Sequence, residues 1–173
     1  MDIAKSSRHS KVIGEFGEAF LSNWLSRSGF EVTTVDHTGL DIIAYHPPTK
    51  RRLGITVKSR TRDAGREATS VNVFSNQKEH DDRAKLREAC EAFASEPWLA
   101  VYVETSESAD LYLTSLEHYD QIYRPNKSRA IDTWKMGNKD RRTYHADPDV
   151  WHVRVAFTAS KLDWRTGART KAC

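Results

Sequence analysis

Between Ser10 and Ser28 apolar residues recur at steps of three and four. Val12, Ile13, Phe16, Ala19, Phe20, Trp24 and Leu25 fall on one wide helical face, and Gly29 follows as a stop. The period then shortens. Glu31 to Val35 alternates as a strand, His37-Thr38-Gly39 is a turn, and Leu40 to Tyr45 is nearly all apolar, which suits a strand covered on both faces. His46-Pro47-Pro48-Thr49-Lys50 is a loop, because paired prolines cannot continue a ladder, and Arg51 to Lys58 returns as the hairpin partner. Arg60 to Thr69 is polar and reads as a flexible basic loop around Gly65. Val71 to Phe74 is a short strand, and Ser75 is expected to cap a helix reaching about Ala94. Trp98 to Glu104 is a buried strand that pairs with Leu111 to Thr114 across the turn Ser106 to Asp110, and Leu116 to Tyr123 is a short helix or turn.

Arg124 to Arg129 reads as a basic linker. Trp134-Lys135-Met136 and Arg142-Thr143-Tyr144, joined by Gly137-Asn138-Lys139-Asp140, read as a hairpin, and Trp151 to Ala156 as a last strand before a basic end beyond Trp164. The expected fold class is α/β, with a mixed central β-sheet flanked by helices and a C-terminal β-hairpin extension. The expected division is a core over residues 1–123 and a basic, aromatic-rich β extension over 124–173, packed together as one compact domain.

Charge changes this picture. Residues 1–123 hold 15 Lys and Arg against 19 Asp and Glu, whereas residues 124–173 hold 12 against 5. The net +3 therefore hides an acidic first part and a basic last part, and Trp134, Tyr144, Trp151 and Trp164 interleave the basic residues. Such a stretch suits a polyanion; the plainer reading is a solvated basic tail. No apolar run approaches the ~18 residues of a membrane span, and Met1 to Lys11 carries no hydrophobic signal segment. Cys90 and Cys173 are far apart and make no metal-type spacing, which fits a reducing cytoplasm. The seven histidines are scattered without paired ligand spacing, and no glycine-rich phosphate loop is present, so no nucleotide cofactor is expected.

The candidate chemistry centres on Asp41, which opens an apolar strand, and Lys58, which closes one. Period-two alternation puts Thr56 and Lys58 on one side of their strand. Glu18 lies on the first helix, one turn beyond Glu15, and Gln77 follows the strand Val71–Phe74. Four polar groups from four elements would then converge on one end of a sheet. Hydrolysis of a phosphodiester needs a hard cation held by carboxylates and water, and a nearby lysine can position the attacking water or stabilise developing charge. The competing reading is a structural Asp41–Lys58 ion pair. Arg60, Arg62 and Arg66 stand next to this region as candidate phosphate contacts, and Lys127, Arg129, Lys135, Arg141 and Arg142 would extend the footprint.

Gly14-Glu15-Phe16-Gly17-Glu18, Gly29-Phe30, Gly39-Leu40-Asp41-Ile42-Ile43-Ala44, Ile55-Thr56-Val57-Lys58, Val73-Phe74-Ser75-Asn76-Gln77 and Trp98 to Val103 together resemble the PD-(D/E)XK nuclease superfamily. The resemblance is nearest to its archaeal-type Holliday junction resolvase and restriction-endonuclease-like branch, and it spans residues 11–118. It implies a restriction-endonuclease-like core and a Mg²⁺- or Mn²⁺-dependent endonuclease acting on DNA, including branched or structured DNA. It assigns Asp41 and Glu18 to the metal, with Glu15 the alternative to Glu18, Lys58 to catalysis and Gln77 to orienting the site. Similar resolvases carry the expectation of a homodimer. Thr56 departs from the pattern, which calls for Asp or Glu. Three explanations stand open: an acid migrated from Glu15, Glu67 or Glu79; a site working with fewer protein ligands; or a catalytically impaired protein that binds DNA or a protein partner.

Overall fold

The computed structural model describes residues 5–77, 80–124 and 129–162. The long helix α1 (His9–Arg27) forms where the sequence periodicity places it, and Ile13, Gly17, Leu21 and Leu25 are its buried stripe, one residue per turn. Strands β1 (Glu31–His37), β2 (Leu40–His46) and β3 (Arg51–Thr61) follow as an antiparallel meander. β4 (Val71–Gln77) and the two-residue β5 (His80–Asp81) lead into helix α2 (Asp82–Ala92). β6 (Glu96–Glu104) then lies parallel to β3 over the full run from Leu53↔Glu96 to Thr61↔Glu104, and β7 (Ser108–Ser115) returns antiparallel. A three-residue helical turn α3 (Leu116–His118) and a π-helical turn Tyr119–Tyr123 precede β8 (Ile131–Trp134), helix α4 (Asn138–Ala146) and β9 (Trp151–Ala156).

The central sheet has the order β1-β2-β3-β6-β7-β9, and a smaller sheet has the order β5-β4-β8. One parallel pair among antiparallel neighbours makes the central sheet mixed, as expected. Its two faces bury different cores. Ile13, Leu21 and Leu25 of α1 cover Ile42, Ile55, Ala100 and Leu111. On the other face Leu86, Ala89 and Cys90 of α2 join Val71, Phe74, Trp134 and Tyr144 over Leu99, Val101 and Tyr112.

Three expectations need correcting. The helix expected from Ser75 begins at Asp82, because Asp81 is the better cap: its carboxylate accepts from the Ala84 N–H. The Ser75 N–H instead donates to the Asp82 carboxylate, and Ser75 pairs with Ile131 of β8, so the strand runs on to Gln77. The expected hairpin around Gly137 is also absent. Gly137 stands at the N-cap of α4, and Trp134 pairs with Val71 rather than with residues 142–144. The reason is packing: Tyr144 stacks on Trp134 with ring centroids 4.2 Å apart, and only a helix brings it back over that ring. Finally, β7 begins at Ser108, inside the expected turn, and Asp110 is a buried strand residue.

Two glycines allow the chain to pack closely at this sheet. A Cβ on Gly17 would stand 2.1 Å from the Ser59 hydroxyl, so the glycine lets α1 descend onto β3. Gly39, at φ +89°, turns the chain into β2, and a Cβ there would lie 2.8 Å from the Lys85 backbone. Gly39→Ala combines a strained conformation with a backbone clash. It is expected to cost about 1–3 kcal/mol, read as a lower urea midpoint at unchanged m-value.

Candidate active site

The β2–β3 ladder has its last pair at Ile42↔Ile55, while β3 and β6 stay paired as far as Thr61↔Glu104. One edge of β3 is therefore released from its ladder just where Asp41 stands. Its carboxylate replaces the missing strand: Asp41 Oδ2 accepts from the Val57 N–H at 2.6 Å and from the Thr56 hydroxyl at 3.1 Å. Thr56 is buried at 3% exposure, and Asp41 is half-buried. Two donors fix one oxygen of the carboxylate.

Gly17 brings the neighbouring Glu18 down to this end of the sheet. Burial first, then the negative charge of Asp41, then that of Glu15, hold the Glu18 carboxyl above its ordinary value of 4.5. A half-buried carboxyl whose proton affinity is raised by burial and by a neighbouring carboxylate is an electrostatic environment that a cation relieves. Two carboxylates from two elements, with water completing the shell, fit the donor set of Mg²⁺. Lys58 is half-buried two positions beyond Thr56, and it forms no ion pair with Asp41. The structural-pair reading of these two residues is thus not realised.

The migrated-acid idea receives no support among the described residues. Asp41 is the carboxylate that Thr56 bonds. Glu15 pairs with Lys11 at 3.6 Å on the exposed face of α1, and Glu67 accepts from the Gly65 N–H in a loop beside Arg141. Glu79 lies outside the described residues, as do Lys127, Trp164 and Cys173. Gln77 is exposed at the end of β4 rather than at a helix start.

The basic residues divide. Arg60, Arg66, Arg129, Lys135 and Arg142 are exposed. Arg62 and Arg141 are structural ties. Arg62 donates to the Ser70 carbonyl, and burial, then Arg60, lower its pKa. Arg141 donates to the Met136 and Glu67 carbonyls and to Asp110.

Sequence reasoning missed three polar clusters whose members are far apart in the chain. Arg83 is held by Asp120 and Asp132, and Arg124 reaches Asp132 at 2.9 Å. Asp110 is paired with His152 at 2.8 Å and flanked by Arg141 and Arg154; burial opposes its ionisation, but these partners hold its pKa low. His118, Asp147 and Asp149 place metal-type donor atoms within 4.8 Å of one another. There His118 Nε2 bonds Asp147 at 2.7 Å and Tyr123 donates to the same carboxylate, which ties α3 to the end of α4. No short sequence spacing signals any of these.

No protein-family model and no curated protein sequence matches the chain. Among solved structures it is similar to Hjc, a Holliday junction resolvase from the archaeal hyperthermophile Archaeoglobus fulgidus. The TM-score is 0.52 at 17% sequence identity, over 75% of this chain and 88% of that one. No helix among the described residues is long and apolar enough to cross a membrane.

Glu18 offers a direct test of the carboxylate pair. Its folded pKa is raised, so the folded state binds the proton more tightly than the unfolded chain. Its contribution to stability is present at low pH and is lost as pH rises through the raised value. Glu18→Gln is expected to raise the melting temperature at pH 7 in metal-free buffer, with the gain vanishing below the ordinary glutamate range. It should also diminish the stabilisation that Mg²⁺ gives the wild-type protein. A calorimetric pH series with and without Mg²⁺ checks both. With the site's geometry and this similarity together, the fold is restriction-endonuclease-like.

Proposed function

We propose that the chain is a metal-dependent DNA endonuclease that hydrolyses phosphodiesters, with branched or structured DNA as its substrate class. The observation that carries this reading is the Asp41 carboxylate, held by β3 where the ladder opens, with Glu18 close enough that burial and the Asp41 charge raise its proton affinity, and with Lys58 two residues beyond Thr56 on β3. The similarity to a resolvase supports the reading at the level of fold.

Asp41 and Glu18 would hold Mg²⁺ or Mn²⁺, which when bound neutralises phosphate charge and makes water more acidic. Asp41 arrives oriented, because its Oδ2 is fixed by the Val57 N–H and the Thr56 hydroxyl while its other oxygen stays available. Lys58 supplies an ammonium that donates hydrogen bonds to the attacking water or to a non-bridging phosphate oxygen. Thr56 contributes a neutral hydroxyl where an acid would add a charge, so cation affinity is expected to be weaker than with a carboxylate there. Exposed Arg60 and Arg66, with Arg129, Lys135 and Arg142 beyond, would contact strand phosphates, and Gln77 would act at the rim. Residues 124–173 would serve as an extension of this footprint, and a homodimer would present two such sites.

A second reading is favoured by one observation, Thr56 itself: a nuclease-fold protein that binds DNA or a protein partner without cutting.

The test uses purified protein with linear, circular and four-way-junction DNA in Mg²⁺ and in Mn²⁺. Cleavage is expected, and Asp41→Ala and Lys58→Ala should each reduce it by about 10²-fold or more. Binding of DNA with no cleavage, indifferent to both substitutions, sinks the enzyme reading. Thr56→Asp separates a site with few ligands from a lost one. It is expected to lower the metal-free melting temperature, by burying a third carboxylate, and to lower the Mg²⁺ concentration needed for half-maximal cleavage.

A further inference from the structure

The basic loop that follows β3, residues 62–70, is tied down, where the sequence suggests a flexible segment. The Arg62 N–H donates to the Glu104 carbonyl at 2.8 Å, and the Arg62 guanidinium donates to the Ser70 carbonyl at 2.8 Å, so the two ends of the loop are clasped together. Inside it the Arg66 N–H donates to the Asp63 carbonyl and the Thr69 N–H to the Arg66 carbonyl, each at 3.0 Å. At the tip Gly65 has φ +79° with open space around it, and Ala64, Gly65 and Arg66 are exposed. The Glu67 carboxylate is taken up by the Gly65 N–H, and Arg66 enters none of the described ion pairs. One further tie comes from far along the chain. Arg141 of α4 donates from Nη2 to the Glu67 carbonyl at 3.0 Å, from Nε to the Met136 carbonyl at 3.1 Å and from Nη1 to the Asp110 carboxylate at 3.5 Å. Its side chain is 15% exposed, and each of its three nitrogens has an acceptor within the protein. Asp110, on β7, is 2% exposed and is also held by His152, so the anchor of this fork is itself fixed.

We propose that Arg141 is a positioning residue for DNA: by holding the Glu67 carbonyl it keeps the loop in the form that presents Arg66 to a strand phosphate, and it does not touch DNA itself. This rests on the DNA-binding part of the function proposed above. The pleat puts Lys58 and Arg60 on one side of β3, and the loop continues directly from that strand, so Arg66 extends the same run of cations. A guanidinium on an ordered loop meets a phosphate without the entropy loss of ordering the segment at the moment of binding. Arg141 itself is poorly placed for a phosphate, because its donors are already engaged. A lysine there would keep the charge, but one ammonium cannot serve three acceptors set around a planar fork.

The test measures binding of four-way-junction DNA to the full chain in EDTA, where no metal-dependent cleavage takes place, over a series of salt concentrations. Wild type is compared with Arg141→Lys, Arg66→Gln and the double variant. Arg66→Gln is expected to weaken binding and to lower the salt slope by about one, as the loss of one phosphate contact does. Arg141→Lys should weaken binding about threefold to tenfold at an unchanged slope, and it should weaken it no further once Arg66 is Gln. In the free Arg141→Lys protein, amide hydrogen exchange should quicken at Arg66 and Thr69 and stay unchanged in β6. If β6 also exchanges faster, the substitution has disturbed the fold. Arg62→Lys, which releases the clasp at Ser70, then serves in its place and should show the same dependence on Arg66. Wild-type affinity in Arg141→Lys is what a plain phosphate contact predicts, and it overturns the positioning role. An equal loss with and without the Arg66 side chain overturns it too, because the effect then does not pass through Arg66. Cleavage plays no part in the readout. Non-additive binding in a protein that cuts no DNA would keep the positioning role and remove the nuclease reading, and cleavage with additive losses would do the reverse. A wild-type protein that binds no DNA overturns both.

Discussion

Strand β3 is paired on both edges only from Leu53 to Ile55, and from there to Thr61 on the β6 edge alone, and that constraint decides what each residue on it is able to do. Ile55 sits under α1, and Gly54 sits under α2 with Cys90. The parallel ladder with β6 continues to Thr61, but the ladder with β2 stops at Ile55. Past that point one edge has backbone donors and no strand to receive them. A buried N–H without an acceptor is costly, and the Asp41 carboxylate is the acceptor. The same contact that completes the sheet also orients the acid of the candidate site.

This arrangement gives Thr56 a physical meaning. The residue is nearly fully buried opposite Asp41, and its hydroxyl donates to that carboxylate. An acid in its place would set a third negative charge beside Asp41 and Glu18, whose proton affinity is already raised. Threonine adds no charge there and gives Asp41 a hydroxyl donor instead. Buried polar groups elsewhere are neutralised by charge rather than by a ligand: Arg83 and Arg124 hold Asp132, and His152, Arg141 and Arg154 surround Asp110. The Asp41 and Glu18 carboxylates have no such cation beside them among the described ion pairs.

Helix α1 and the strands between Glu31 and Lys58 were legible because their signals are local, whereas the run of β3 on to Thr61, inside the expected basic loop, is set by its pairing with β6. A stripe at helical spacing, a double proline and an all-apolar run each depend on a few adjacent residues. Trp98 to Glu104 was legible for the same reason. The start of α2 was not, because two capping candidates, Ser75 and Asp81, compete, and pairing of β4 with β8, some 60 residues further on, decides between them. Residues 138–146 misled in a similar way. Their local composition favours a turn, and the Trp134–Tyr144 stack makes them a helix.

The sequence by itself determined the order of the main elements and the positions of Glu18, Asp41, Thr56 and Lys58 along them, since periodicity and strand ends are properties of short segments. Tertiary structure alone decided which of these groups meet. It paired Asp41 with β3 rather than with Lys58, brought Glu18 over the sheet through the close approach at Gly17, and turned Arg62 and Arg141 inward. The physical reason is that these contacts depend on ladder length and helix–sheet distance. Both are set by packing between residues tens of positions apart, and no local pattern encodes them.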